Sequence, residues 1–144
     1  MEKEITAPIR EKFGDNIIDW HEHSKRRIYI SVEPQYITEV AEFLFDDLNL
    51  RFVTATGVET PQAIEIVYHF SFDKDGTIIS IRVLIEDKQN PEIESITSVI
   101  TCAEWIEREI WEMLGVNFKG HPNLKRLLLA EDWPEGEYPL RQKD

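Results

Sequence analysis

Glu107-Arg108-Glu109-Ile110-Trp111-Glu112-Met113-Leu114-Gly115, then Phe118-Lys119-Gly120-His121-Pro122, Leu127-Leu128-Leu129, Glu131-Asp132-Trp133 and Tyr138-Pro139-Leu140-Arg141, is the part of this chain that decides how it is organised. A helix rich in tryptophan and acid runs into a segment interrupted by Gly115, Gly120, Gly136, Pro122, Pro134 and Pro139. That segment is too irregular for one regular element and too apolar for a disordered tail, so it needs a surface to lie on. The expected organisation is a body over residues 1–115 and, in the same domain, an extended partner-wrapping arm over 116–144. A cut after Gly115 is expected to leave a body that folds.

The helix start is read from local chemistry. Thr101 stands at a capping position, Glu104 three residues on completes a capping box, and Ile100 is placed to staple against Trp105. Gly115 ends the helix in the left-handed conformation that glycine adopts at low cost. Val99, Cys102, Ala103, Ile106, Ile110, Met113 and Leu114 are read as the stripe that packs on a sheet, which leaves Trp105 and Trp111 outside it for another surface to cover.

Upstream, 3–14 reads as a short helix interrupted by Pro8, and 17–20 as the start of a first strand. Ile28, Ile30 and Val32 alternate with polar neighbours, the period of a half-buried strand. Ile37, Val40, Ala41, Leu44 and Leu48 recur at helical spacing over 34–49, with Pro34 at a first turn. A strand over 52–57 follows. Next comes a hairpin in which Ile64, Ile66, Tyr68, Phe70 and Phe72 face the same way, Asp73-Lys74-Asp75-Gly76 turns the chain, and Ile79, Ile81, Val83 and Ile85 return. The segment 91–95 reads as a connection. The fold class is α+β: a four- to five-stranded, largely antiparallel sheet with helices on one face and an irregular C-terminal arm.

Composition narrows the function. At 144 residues the chain is one domain, and its net charge of −12 disfavours nucleic acid, whose phosphates are bound by clustered Lys and Arg. The single Cys102 cannot form an internal disulfide or hold an iron-sulfur cluster alone. No apolar run approaches the length of a membrane span and the N-terminus does not read as a signal peptide, so a cytosolic chain that meets a membrane only through other subunits is expected. No glycine-rich phosphate loop, C-x-x-C or G-x-S-x-G is present, so no cofactor is expected.

The ordered residues Glu107, Arg108, Glu109, Glu112, Gly115, Val116, Phe118, Gly120, His121, Pro122, Leu124, Arg126, Asp132, Trp133, Pro139, Leu140 and Arg141 carry a resemblance. The chain resembles the hydrophilic C-type, or 30 kDa, subunit family of respiratory NADH dehydrogenase, which is shared with membrane-bound energy-converting [NiFe]-hydrogenases and related archaeal complexes. The resemblance is densest over the last third of the chain.

The resemblance implies a cofactor-free structural subunit in the peripheral arm of a membrane-bound redox complex, on the cytoplasmic side of the cell membrane and not an enzyme by itself. The implied partners are the hydrogenase-like large (49 kDa, D-type) subunit and the iron-sulfur small (B-type) subunit. Trp105, Glu109, Trp111, Glu112, Phe118, His121, Arg126, Trp133, Leu140 and Arg141 are the expected partner-binding residues; no catalytic, cofactor or metal residue is expected. Glu112 replaces the aspartate more usual in respiratory members and the chain stops at Asp144, which favours a short archaeal or hydrogenase-type member.

Single residues admit competing readings. Glu107 and Glu109 point some 160 degrees apart on a helix and do not converge on a substrate, so these acids read as interface or internal ion-pair anchors. His21 and His23 face the same way with no further ligand nearby and read as solvated; His69 reads as structural. His121, fixed between Gly120 and Pro122, is either a docking histidine for a neighbouring subunit, the favoured reading, or a turn residue serving its own loop. Lys119, Lys125 and Arg126 form with it a basic patch ahead of the acidic Glu131, Asp132, Glu135 and Glu137. Two other classes stay open: a small free-standing acid-base enzyme using Glu109 and His121, and a reversible regulatory binding module.

Overall fold

The computed structural model describes residues 5–129 and 132–141, so Lys3, Glu131 and the terminal Gln142, Lys143 and Asp144 lie outside the described residues. Helix α1 (Thr6–Phe13) opens the chain and buries Ile9 and Phe13. Pro8 does not interrupt it, because a proline in the first turn has no intrahelical hydrogen bond to lose. Strands β1 (Ile17–Ser24) and β2 (Arg27–Val32) form an antiparallel pair.

The expected 34–49 helix is three pieces in succession: a 3-10 turn Pro34–Tyr36, helix α2 (Ile37–Glu42) and a π-helical turn Phe43–Asp47. Ile37, Val40, Ala41 and Leu44 are buried as their spacing requires, and Asn49 at φ 57° turns the chain out in the left-handed conformation. Strands β3 (Arg51–Glu59), β4 (Ile64–Phe72) and β5 (Thr77–Ile85) complete a sheet in the order β1-β2-β5-β4-β3. All neighbours are antiparallel except β2 and β5. The fold class is therefore the α+β sheet read from the sequence, with one parallel pair at its centre.

Alternation sets the burial. Ile64, Ile66, Tyr68, Phe70, Ile79, Ile81 and Val83 are fully buried and join residues of α1 and α2 in one core. Full burial of each such aliphatic or aromatic side chain contributes about 1.5–3 kcal/mol. The hairpin turn is held by its own chemistry: Gly76 N–H donates to the Phe72 carbonyl (2.9 Å), Thr77 N–H to Asp75 Oδ1 (2.9 Å) and the Arg51 guanidinium to Asp73.

A second, two-stranded parallel sheet is absent from the sequence reading. Strand β6 (Glu92–Glu94) pairs with β7 (Asn117–Lys119), bringing the residues before and after the long helix side by side. The boundary expected at Gly115 therefore falls inside packed structure. Val116 is 0 % and Phe118 2 % exposed, both within the core, and a cut after Gly115 would remove them together with one of the two paired strands.

Candidate functional site

Helix α3 (Glu104–Leu114) is the element on which the C-terminal third is built. It lies directly on β3 because Gly57 has no side chain: a Cβ there would sit 2.7 Å from Leu114 Cδ1 and 3.2 Å from Ile110 Cγ2. The expected capping box does not form. A 3-10 turn Thr101–Ala103 leads into α3, and no side chain caps either start. At the other end Gly115 takes φ 79° and donates its N–H to the Trp111 carbonyl (2.8 Å), as expected of a left-handed stop.

The buried face of α3 differs from the expected stripe. Ala103, Ile110 and Leu114 are buried, but Cys102 is exposed and Ile106 and Met113 only half-buried. Glu107 instead stands in the middle of the buried face at 0 % exposure. Its carboxylate accepts from Ser95 Oγ (2.5 Å) and from the Ile96 N–H (2.9 Å), pinning the segment that enters the helix. Burial pushes this carboxyl above its ordinary value, against the opposing pull of Ser95 and Ile96. The Tyr68 hydroxyl is driven well up as well, first by its own burial and then by the charge on Glu107.

Arg108 and Glu112, one turn apart on the neighbouring face, are 5 % and 2 % exposed and hold the segment that leaves the helix. Arg108 donates Nε–H to the Lys125 carbonyl (3.0 Å) and Nη2–H to that of Arg126 (2.8 Å), while its guanidinium lies 5.0 Å from the Trp105 ring centre. Glu112 accepts the backbone N–H groups of Leu127 (3.0 Å), Leu128 (2.8 Å) and Leu129 (2.7 Å). Burial alone would raise the Glu112 carboxyl. The three N–H groups and the Arg108 charge outweigh it and hold the group below its ordinary value.

Two further ties fix the ends of the arm. His121 accepts the Asn123 N–H at Nδ1 (2.9 Å), so its proton is on Nε2 and is donated to the Glu104 carbonyl (2.9 Å). At the far end Leu140 N–H donates to the Met113 carbonyl (2.9 Å) and Arg141 Nη1–H to that of Leu114 (3.2 Å), capping the last turn of α3. Arg141 also reaches the Lys88 carbonyl (2.9 Å) and lies 3.3 Å from Glu59, whose carboxylate meets Lys88 at 3.0 Å. Tyr138 folds over Gly115 so closely that a Cβ there would lie 2.7 Å from its ring.

The expected site residues thus separate into two groups. Glu112, His121 and Arg141 hold the chain's own arm, and Phe118 fills its own core, so these four have internal roles. His121 spends one ring nitrogen on its own loop and the other on the Glu104 carbonyl of α3, so neither nitrogen is directed at Glu109. Trp105 (59 % exposed), Leu140 (57 %) and the unforeseen Leu128 (62 %) present large apolar side chains outward. Between these groups Trp111, Arg126 and Trp133 are half-buried around a cavity of about 330 Å3 between α3 and the arm, and Trp133 Nε1–H donates to the Glu137 carbonyl (2.8 Å). Glu109 is half-buried. The Lys119 end of the basic patch pairs with Glu92 at 3.3 Å. The rings of His21 and His23 are 6.0 Å apart on an exposed strand, and no group of three potential metal ligands gathers among the described residues. No helix among them is long and apolar enough to cross a membrane.

Comparison with known proteins agrees with this architecture. The chain is 31 % identical to the C-type subunit of the NADH-quinone oxidoreductase of Citrifermentans bemidjiense, over 94 % of its own length and 88 % of the relative's. It is 35 % identical to the C-type subunit of the F(420)H(2) dehydrogenase of Methanosarcina mazei, over 96 % and 88 % of the two chains. A chain of the membrane-bound sulfane sulfur reductase, an archaeal respiratory membrane complex, shares the fold with a TM-score of 0.83 at 24 % identity, over 94 % of this chain and 81 % of that one. The trypsin-resistant fragment of Nqo5 shares it with a TM-score of 0.68 at 18 % identity, over 85 % of this chain and all of that one. Since residues 30–144 also match the sequence profile of the respiratory-chain NADH dehydrogenase 30 Kd subunit, the chain belongs to that family, the C-type subunits of NADH-quinone oxidoreductase-type complexes and their archaeal relatives.

Proposed function

We propose that this subunit is a cofactor-free structural part of the peripheral arm of its redox complex, held on the cytoplasmic side of the membrane by other subunits. Its work is to dock the hydrogenase-like large subunit and to lie against the iron-sulfur small subunit. The observation that carries this reading is the division of labour along α3 and its arm. Charged side chains hold the arm down through its backbone, while Trp105, Leu128 and Leu140 face outward, each more than half exposed. Large apolar groups on a rigidly held element are what a stable protein interface uses as anchors.

The relatives support a task independent of the electron donor. One is named for NADH and quinone and another for F(420)H(2), yet both align with nearly the whole of this chain. A rigid scaffold serves either, because electron transfer coupled to ion translocation needs cofactors held at fixed separations by neighbouring subunits.

The test is capture of the purified large subunit by the immobilised full-length chain. Trp105→Ala is expected to weaken capture by about 2 kcal/mol, roughly thirtyfold, if it anchors the interface. Leu128→Ala and Leu140→Ala should weaken it less, with melting temperatures unchanged for all three. Undiminished capture by all three variants would move the docking surface away from α3 and its arm.

A further inference from the structure

A second surface, whose lining includes none of Trp105, Leu128 and Leu140, lies where β2 and β5 run out. The outer face of the sheet meets the segment 86–94 and β7 there around an open cleft of about 970 Å3. Its apolar part is unusually bare: Ile18 is 64 % and Leu84 48 % exposed, and both line the cleft. Ile18 stands out because of the β1 irregularity between Ile17 and Asp19, and Leu84 lies on the outward side of β5 opposite Glu65.

The charge around these two residues is one-sided. Both cations of the cleft are already paired, Arg82 with Glu65 at 2.7 Å and Lys119 with Glu92 at 3.3 Å. Asp19, Glu33, Glu86, Asp87 and Glu94 also line it, and none of them forms an ion pair among the described residues. Asp87 alone has a local task, accepting the N–H groups of Gln89 and Asn90 at 3.1 Å each. Like charges gathered around a concave, low-dielectric wall repel one another and focus a negative potential into the cleft. A second copy of this acidic chain would be repelled from it.

We infer that this cleft receives a basic segment of another subunit of the complex, with Lys or Arg side chains meeting the carboxylate rim and an apolar residue seated on Ile18 and Leu84. Charge complementarity would register that segment, and the exposed leucine and isoleucine would supply desolvation. The surface is distinct from the Trp105 and Leu128 surface, so either can fail without the other.

The probe is a fluorescein-labelled synthetic peptide of alternating Lys and Leu, titrated with the full-length chain by anisotropy beside a Glu and Leu control peptide. The wild-type chain should bind the basic peptide only, and binding should be lost at about 1 M salt, where the Debye length falls to about 3 Å. The triple variant Asp19→Asn, Glu86→Gln, Glu94→Gln should bind at least about tenfold more weakly, while Glu11→Gln, Glu22→Gln, Glu39→Gln, with the same change in net charge, should bind like wild type. Circular dichroism checks that both triples keep the fold. In the assembled complex, a photo-crosslinking residue at Leu84 should label a segment of another subunit that carries net positive charge. Equal binding by the wild type and the cleft triple, equal weakening by both triples, or crosslinks to an acidic segment, to a second copy or to nothing would each overturn the assignment.

Discussion

Replacing Glu112 tests the architecture at its most concentrated point. Three consecutive backbone N–H groups, those of Leu127, Leu128 and Leu129, converge on this one carboxylate. A hydrogen bond to a charged group contributes about 1.5–3 kcal/mol. In Glu112→Ala the half-exposed leucine turn can regain water at its N–H groups, which brings the total to about 3 kcal/mol rather than the sum of three full bonds. That is about a hundredfold increase in the opening of the arm. Native-state hydrogen exchange reads it directly: the amides of Leu127, Leu128 and Leu129 should exchange about a hundredfold faster, while those of Tyr68 and Ile81 in the sheet keep their wild-type rates.

The same group makes a pH prediction whose sign follows from its shift. The folded carboxyl lies below its ordinary value of 4.5, so its stabilisation is fully present above that value and is lost as pH falls through the folded one. Arm protection in the wild type should therefore decline in acid below about pH 4.5, and Glu112→Gln should remove this particular dependence. Unchanged exchange at 127–129 in the alanine variant would refute the claim that the acid holds the arm.

Three other substitutions probe separate contacts. Gly57→Ala forces Leu114 and Ile110 off β3 and should cost about 1–3 kcal/mol in urea unfolding, less than a backbone clash because the nearest atoms belong to side chains that can move. Gly115→Ala meets both a left-handed φ and the Tyr138 ring, and should loosen the Leu140 amide as well as lower the melting temperature. Arg141→Ala removes two carbonyl contacts and the approach to Glu59 and should speed exchange of the Leu140 amide about tenfold, leaving 127–129 untouched because Glu112 and not Arg141 holds them.

The sheet was legible because its strands alternate. Ile64, Ile66 and Phe70, and Ile79, Ile81 and Val83, can bury one face only as strands, and the turn at Asp75-Gly76 sets these two strands against each other. The pair of β6 and β7 was not, since three residues such as Glu92-Ile93-Glu94 carry too short a period to separate a strand from a connection, and their partner lies beyond α3. On α3 the position of Gly115 and the exposure of Trp105 are legible, but the angular spacing of the acids does not by itself separate an interface role from an internal one. One signal was available: Ala103, Glu107, Ile110 and Leu114 follow one another at four, three and four residues, the spacing of a single buried face, with an acid inside it. An acid in that place must be hydrogen-bonded internally, and Ser95 with Ile96 is what satisfies it. No comparable pattern marks Arg108 or Glu112, because their partners are backbone groups of an arm whose path is set only when it folds.

That choice of partner bears on how one protein can hold an irregular segment and still present it to others. An arm without regular structure carries unpaired N–H and C=O groups, and laying it on an apolar helix would bury them at a cost of about 1–3 kcal/mol each. Here Arg108 takes two carbonyls of the arm and Glu112 three of its N–H groups, while the arm's own side chains tie its two ends down, His121 to the Glu104 carbonyl in the first turn of α3 and Arg141 to the carbonyls of Leu114 and Lys88. Holding the arm by its backbone leaves its side chains uncommitted. Leu128 shows the consequence within a single residue, with its N–H bound to Glu112 and its side chain 62 % exposed. The internal charges and the outward apolar groups are thus two halves of one arrangement. Loss of Glu112 releases the backbone of 127–129 and with it the orientation of the Leu128 side chain, whereas loss of the Leu128 side chain leaves that backbone in place.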